Sequence, residues 1–136
     1  SIGAARASLE ISRDYVIGRQ QFGKALAEFQ ATQFRLADMM TELDAARLMI
    51  RRAAWALDNQ HPEKTAICAS AKRFATDAGF RICNEALQLH GGYGYLMDYP
   101  IERYLRDARV HQILEGTNEI MRVIIARRLL QGMAVD

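Results

Sequence analysis

Arg19-Gln20-Gln21-Phe22-Gly23 sets a guanidinium and two amides beside a glycine, and Arg19 with Gln30 could clamp a pyrophosphate, since guanidinium and amide donors suit such an anion. A second cluster, Gln88 through Tyr95, holds Gly91, Gly92 and Gly94, which let backbone amides approach a ligand closely. A third, Leu114-Glu115-Gly116-Thr117, puts a carboxylate just ahead of a helix start, where orphan amides and the helix dipole favour its anionic form. Each cluster also has a plainer reading. From spacing alone Glu115 is a solvated carboxylate flanking a helix, and Arg19 a cation facing water or helix-end carbonyls. The glycines read as a helix C-cap and turn, because a dinucleotide-binding glycine turn needs a preceding strand and none is in view.

The other chemistry-bearing residues are less suggestive. His61, His90 and His111 show no i, i+4 pairing and no nearby cysteine or carboxylate triad, so no metal site is expected. Cys68 and Cys83 lie in a helical pattern without CxxC spacing, which argues against a disulfide framework or zinc site and fits a reducing compartment. Met39, Met40, Met49 and Met97 read as core filler, and Arg106-Asp107 as a structural salt bridge.

Long helices must position these breaks. Ile2, Ala5, Leu9 and Val16 recur near helical spacing up to Gly18, with no helix-start signal at Ser1-Ile2-Gly3, so the first helix is expected to have lost its beginning. From Glu28 to Asn59, the residues Phe29, Leu36, Met40, Leu43, Ile50, Ala54 and Leu57 predict a second helix and its inward stripe. Pro62 opens a third that runs to Leu89 and turns Ile67, Ala71, Phe74, Ala78, Ile82, Ala86 and Leu89 inward. A short helix from Pro100 to Ala108 follows. A last one runs from Thr117 to Leu130, with Thr117 or Asn118 as N-cap and Gly132 past its end. Nothing reads as a strand. The predicted class is all-α, an antiparallel up-and-down bundle of long helices.

Composition sets outer bounds. A chain of 136 residues is one domain, and 18 basic against 16 acidic side chains, net +2, give neither a polybasic nucleic-acid surface nor an acidic tail. The longest apolar stretch, Val123 to Ala126, falls far short of the roughly 20 residues a membrane span needs, and a soluble chain is expected.

Taken in order, the motifs are Arg19-x-x-Phe22-Gly23-Lys24, Gln30, Ala37-Asp38-Met39, Ala71-Lys72 with Ala75-Thr76, and Gln88-Leu89-His90-Gly91-Gly92-Tyr93-Gly94-Tyr95. They continue through Tyr99-Pro100-Ile101-Glu102-Arg103, Arg106-Asp107-Ala108-Arg109 and Ile113-Leu114-Glu115-Gly116-Thr117-Asn118-Glu119-Ile120. This series resembles the C-terminal domain of the acyl-CoA dehydrogenase family along nearly the whole chain. Leu36-Ala37-Asp38-Met39, Ala45-Ala46-Arg47-Leu48-Met49, Phe74-Ala75-Thr76-Asp77 and Val110-His111-Gln112-Ile113-Leu114-Glu115-Gly116 look most like the branch acting on isobutyryl-CoA.

The resemblance implies that residues 1–136 are the C-terminal helical domain of a three-domain enzyme, without its N-terminal helical and middle β domains. It implies FAD as cofactor. Arg19, Gln21, Phe22, Gln30, Gln88, Gly91 and Gly92 would lie at its adenosine diphosphate half, which such enzymes share across a dimer interface. Thr117, Asn118 and Glu119 would also touch FAD, although many relatives carry Gln where Glu119 stands. Glu115 matches the catalytic base that removes the α-proton of an acyl-CoA, with its own N–H helping to polarise the thioester. Gly116 and Arg127 would adjoin the substrate. The implied partners are an acyl-CoA, an electron-transfer flavoprotein and further copies of the chain as a dimer of dimers, with no nucleic acid and no membrane. The implied location is the cytoplasm in a bacterium or the mitochondrial matrix in a eukaryote. The rival readings are a 2-methyl-branched or straight short-chain acyl-CoA dehydrogenase, and a non-catalytic helical assembly module.

Overall fold

The computed structural model describes residues 1–133. Among them, α1 spans Ile2–Gly18, α2 Gln30–Asp58, α3 Lys64–His90, α4 Ile101–Val110 and α5 Asn118–Leu130. The three long helices run up, down and up. Arg35 pairs with Glu85 and Glu42 with Arg81, so α2 lies antiparallel to α3. Ser8 Oγ donates to Cys83 Sγ at 3.5 Å and Tyr15 stacks on His90, so α1 runs parallel to α3. Arg122 meets Asp77 and Arg128 meets Glu63, so α5 descends along α3 in turn. The all-α bundle read from the sequence is the observed architecture.

The inner helix is α3. Ala66, Ala69, Ala71, Ala75, Ala78, Gly79 and Ala86 are buried along it, and such small side chains let α1, α2 and α5 pack close to its backbone. One apolar cluster joins Ala5, Met39, Leu43, Ile82, Ala86 and Ile101, and a second joins Ala46, Ala75 and Ala78. No helix is long and apolar enough to cross a membrane among the described residues. Both cysteines are free thiols.

Four expectations need correction. Gln20–Gln21 (β1) and Lys24–Ala25 (β2) form a small antiparallel ladder, pairing Gln20 with Ala25 and Gln21 with Lys24. Its loop is Phe22-Gly23, at φ +53° and +81°, the pair of left-handed residues that a two-residue hairpin turn demands. In α2 the buried positions are Thr32, Met39, Leu43, Ala46, Ala53 and Ala56, whereas Met40, Ala54 and Leu57 are exposed. Apolar side chains occupy more than one face of this helix, Phe34, Leu48 and Trp55 among the exposed ones, so periodicity allowed two phases. Close packing against α3 chose the alanine-rich one. Met97 is 93% exposed in a loop and is no core filler. Arg106 binds Glu102, one helical turn back on the same face of α4, rather than its neighbour Asp107.

Candidate functional site

Two regions beside α3 gather the residues singled out by the sequence. At its C-terminal end α3 closes on Gly91, whose φ of +59° and ψ of −137° only glycine adopts readily, and whose N–H donates back to Gln88 O. The chain then turns through a 3-10 segment, Gly91–Tyr95. Beside it lies an open groove of about 440 Å³ lined by Arg19 and Gln21 from the hairpin, Gln88, Gly91 and Gly92 from the helix end, and the ring of Tyr93. The Arg19 guanidinium rests 5.2 Å from the centroid of that ring.

The groove floor is aromatic. His90 is buried, its Nδ1 lying 2.8 Å from Ala86 O, and its ring stacks on Tyr15 at 4.2 Å and meets Tyr99 edge-on at 5.3 Å. Burial pushes its pKa below the ordinary value, against the opposing hydrogen bond to Ala86, so the ring stays neutral at pH 7. His90 Nε2 is buried with no partner among the described residues. Burial raises the Tyr15 phenol, with Arg19 opposing it, so Arg19 is the one formal charge in the lining. A guanidinium, two side-chain amides and a glycine-rich backbone suit a phosphate-bearing ligand. Phe22 and Gln30 are not in this lining. Phe22 is 92% exposed at the hairpin tip, edge-on to Phe29, and Gln30 is exposed at the first position of α2.

The second region is the loop between α4 and α5. Its two central residues, Glu115 at φ +53° and Gly116 at φ +92°, are both left-handed. A Cβ on Gly116 would come within 2.8 Å of Met121 Cε. Thr117 is the N-cap of α5, its Oγ1 accepting from Ile120 N at 3.4 Å, as expected. The loop is tied to α3 by a polar network. Lys72 Nζ donates to Gly116 O and to Asn118 Oδ1, each at 2.8 Å. Asn118 Nδ2 donates to Asp77 Oδ1 at 2.7 Å and to Thr76 Oγ1 at 2.8 Å. Gln112 Nε2 donates to the same Asp77 oxygen at 2.7 Å, while Gln112 O accepts from Asn118 N at 3.0 Å.

The expected site residues of this loop therefore separate. Asn118 is 2% exposed and its side chain is engaged inside the chain, which gives it a structural duty that the sequence did not reveal. Glu115 is exposed, and neither its carboxylate nor its N–H has a partner among the described residues. Glu119 is exposed and faces Arg122 at 3.6 Å. Arg127 is exposed, and the adjacent Arg128 instead grips Glu63 with two hydrogen bonds of 2.7 and 3.0 Å. Lys72, Thr76, Asp77 and Gln112 entered the sequence reading only as members of the motifs and were given no role in the site. For the three on α3 a signal was present: polar residues on a helix whose neighbouring positions, Ala71, Ala75 and Ala78, face the core.

The groove and the Glu115 loop sit along one helix, about 25 Å apart at 1.5 Å per residue from Lys72 to Gln88. Among the described residues no group of three His, Cys, Asp or Glu side chains comes together as a metal site would require.

Comparison with known proteins places these features in context. The profile of the family described as acyl-CoA dehydrogenase, C-terminal domain, matches residues 1–130. The chain is 58% identical over 131 residues to the mitochondrial isobutyryl-CoA dehydrogenase of Bos taurus, covering 96% of this chain and 32% of that protein. Among solved structures, butyryl-CoA dehydrogenase of Megasphaera elsdenii superposes with a TM-score of 0.91 at 42% identity, covering 95% of this chain and 33% of that one. A chain in a structure of the electron transferring flavoprotein of Acidaminococcus fermentans superposes with a TM-score of 0.92 at 42% identity, covering 96% and 34%. This chain thus spans about a third of the length of each of these three proteins.

Proposed function

The chain belongs to the acyl-CoA dehydrogenase family, as its C-terminal domain, and from that premise we propose that it completes an FAD-dependent enzyme acting on a short branched acyl-CoA of the isobutyryl-CoA kind, with Glu115 as the base. One observation carries this reading. Glu115 stands on a left-handed turn whose flanks are tied to α3, while its own carboxylate and N–H are uncommitted among the described residues.

Such a group can do two things at once. The carboxylate takes the α-proton of the acyl thioester, and the N–H of the same residue donates to the thioester oxygen, stabilising the charge that develops as the proton leaves. Gly116 would adjoin the acyl chain, and Arg127 the ligand. Bound FAD would supply the acceptor for the β-hydride, so that loss of the α-proton and that hydride from isobutyryl-CoA would leave the 2-methylpropenoyl-CoA. Arg19, Gln21, Gln88 and the Gly91-Gly92 backbone would hold the pyrophosphate half of FAD in the groove, with Phe22 and Gln30 towards its outer part. Thr117 and Glu119 would meet FAD from the other region. The separation of groove and base along α3 suits a cofactor shared between two copies of the chain, and the family resemblance would pair such dimers as a dimer of dimers.

Electrons then pass to an electron-transfer flavoprotein. Two free cysteines suit a reducing compartment, a bacterial cytoplasm or, as in the bovine relative, the mitochondrion. The test is anaerobic bleaching of bound FAD by isobutyryl-CoA in the full-length enzyme, comparing the natural protein with Glu115→Gln. Rapid bleaching in the former and its loss in the latter, with flavin retained, is the expected result. Undiminished bleaching in the variant would place the base elsewhere.

A further inference from the structure

Lys72 lies on α3, far from the groove, and is partly buried. Burial pushes its pKa down, while the carboxylates of Asp77, Glu119 and Glu115 pull it back up. A cation kept in such a place has work for its donors, and both recorded hydrogen bonds go to the α4–α5 loop. One reaches the backbone oxygen of Gly116, the residue directly after Glu115. The other reaches Oδ1 of Asn118, whose amide is bound in turn to Asp77 and Thr76 on the following turn of α3.

The backbone needs this hold. A left-handed conformation is unfavourable for a residue with a Cβ, and Glu115 adopts it next to a second left-handed residue. Such a turn persists only where its surroundings over-determine it. Gln112 and Asn118, at the two flanks, are both bound to Asp77, which fixes the ends of the segment but not the peptide planes between them. Ile113 and Leu114 donate to Val110 O, and Thr117 is held by α5, but the one recorded hydrogen bond to the left-handed pair itself, among the described residues, is Lys72 to Gly116 O.

We propose that Lys72 is a positioning residue of the reaction: by holding Gly116 O and Asn118 Oδ1 it fixes the Glu115–Gly116 turn and so aims the Glu115 carboxylate and N–H at the substrate. The proposal rests on the reading of Glu115 as the base. It assigns Lys72 no contact with substrate or cofactor. The methylene stem of lysine can be kept and its donors removed by Lys72→Met.

The experiment uses the full-length FAD-loaded enzyme. Single-turnover bleaching by saturating isobutyryl-CoA, the dissociation constant for that ligand and the FAD content are measured for the natural protein, Lys72→Met, Lys72→Arg and Glu115→Gln. Lys72→Met keeps its FAD and its ligand affinity but bleaches about 10²-fold more slowly, the scale of effect of a misplacement of about 1 Å. Lys72→Arg, which restores a cationic donor, recovers part of that rate. A natural bleaching rate in Lys72→Met, or a loss accounted for by missing FAD or weakened ligand binding, overturns the proposal. Should Lys72→Met fail to accumulate, Lys72→Gln, which keeps an uncharged donor, is read by the same criteria. Glu115→Gln separates the two levels of inference. If it too bleaches normally, the base has been misassigned; if it is inactive while Lys72→Met is not, the role of Lys72 alone falls.

Discussion

At the C-terminal end of α3 the polar groups face outward, whereas beside its earlier turns they face one another. The side chains of Arg19, Gln21 and Gln88 line an open groove with no hydrogen-bond partner among the described residues, and the surface beneath them is a stack of aromatic rings. Around Lys72 the opposite holds. Five side chains, those of Lys72, Thr76, Asp77, Gln112 and Asn118, satisfy one another, and the exposed Glu115 carboxylate is left over. The difference is instructive because an uncommitted donor at the surface is available to a ligand, while a closed network inside immobilises backbone. The first region leaves its side-chain donors open to solvent; the second ties down the backbone on either side of Glu115.

Substitutions can break this contrast. The largest effect is expected for Glu115→Gln, which should slow acyl-CoA-dependent bleaching of FAD by about 10²–10⁴-fold, the usual weight of a general base, without releasing the flavin. Asn118→Leu should lower stability by about 2–3 kcal/mol, because Lys72, Thr76 and Asp77 would all lose a partner in a buried place; thermal melting of the full-length enzyme checks this. Arg19→Ala should weaken FAD retention by about tenfold or more, the loss of one charge-assisted hydrogen bond, while the melting temperature stays put; the flavin-to-protein ratio after gel filtration reads it. If Arg19→Ala lowered the melting temperature as Asn118→Leu does, the groove would be structural after all.

Two smaller effects sharpen the same comparison. Gly116→Ala should destabilise by about 1 kcal/mol, since its φ of +92° suits glycine and the added methyl would press on Met121. The last prediction concerns acid. His90 has its pKa lowered by burial, so between that lowered value and the ordinary 6.5 the unfolded chain binds a proton that the folded chain does not. Stability is therefore full above about pH 6.5 and declines as the pH falls below it, towards the folded value. His111, also lowered by burial, adds to the same slope. His90→Gln should flatten part of the decline in a series of melts from pH 7.5 to about 5, and an unchanged slope would show that His90 is not its source.

How much of this was legible beforehand varies with the range of the interaction involved. Helix identity and order were readable because the 3.6-residue pattern is local, and the cap of α5 could be narrowed to Thr117 or Asn118 because N-caps act within three residues. The hairpin at Phe22-Gly23 was also a local signal, a glycine at the second turn position between short polar runs, and it went unread because Phe is an unusual partner at the first. The phase of α2 was not local. Met40 and Met39 are equally apolar, and only the fit against α3 buries one and exposes the other. The partner of Arg106 was a matter of helical geometry, since residues four apart share a face and adjacent ones do not.

By itself the sequence determined an all-α bundle and the order of its helices, because both rest on residue type and short-range spacing, while the ordered series of motifs pointed by resemblance to a family and to Glu115 as the carboxylate to watch. Only the tertiary structure decided what surrounds that carboxylate. The bonds from Lys72, Thr76 and Asp77 to residues 41 to 46 positions further along the chain exist because α5 packs down the length of α3. Nothing in the spacing of those residues foretells their meeting, since which side chains satisfy each other inside a fold follows from how the helices are placed and not from any one helix.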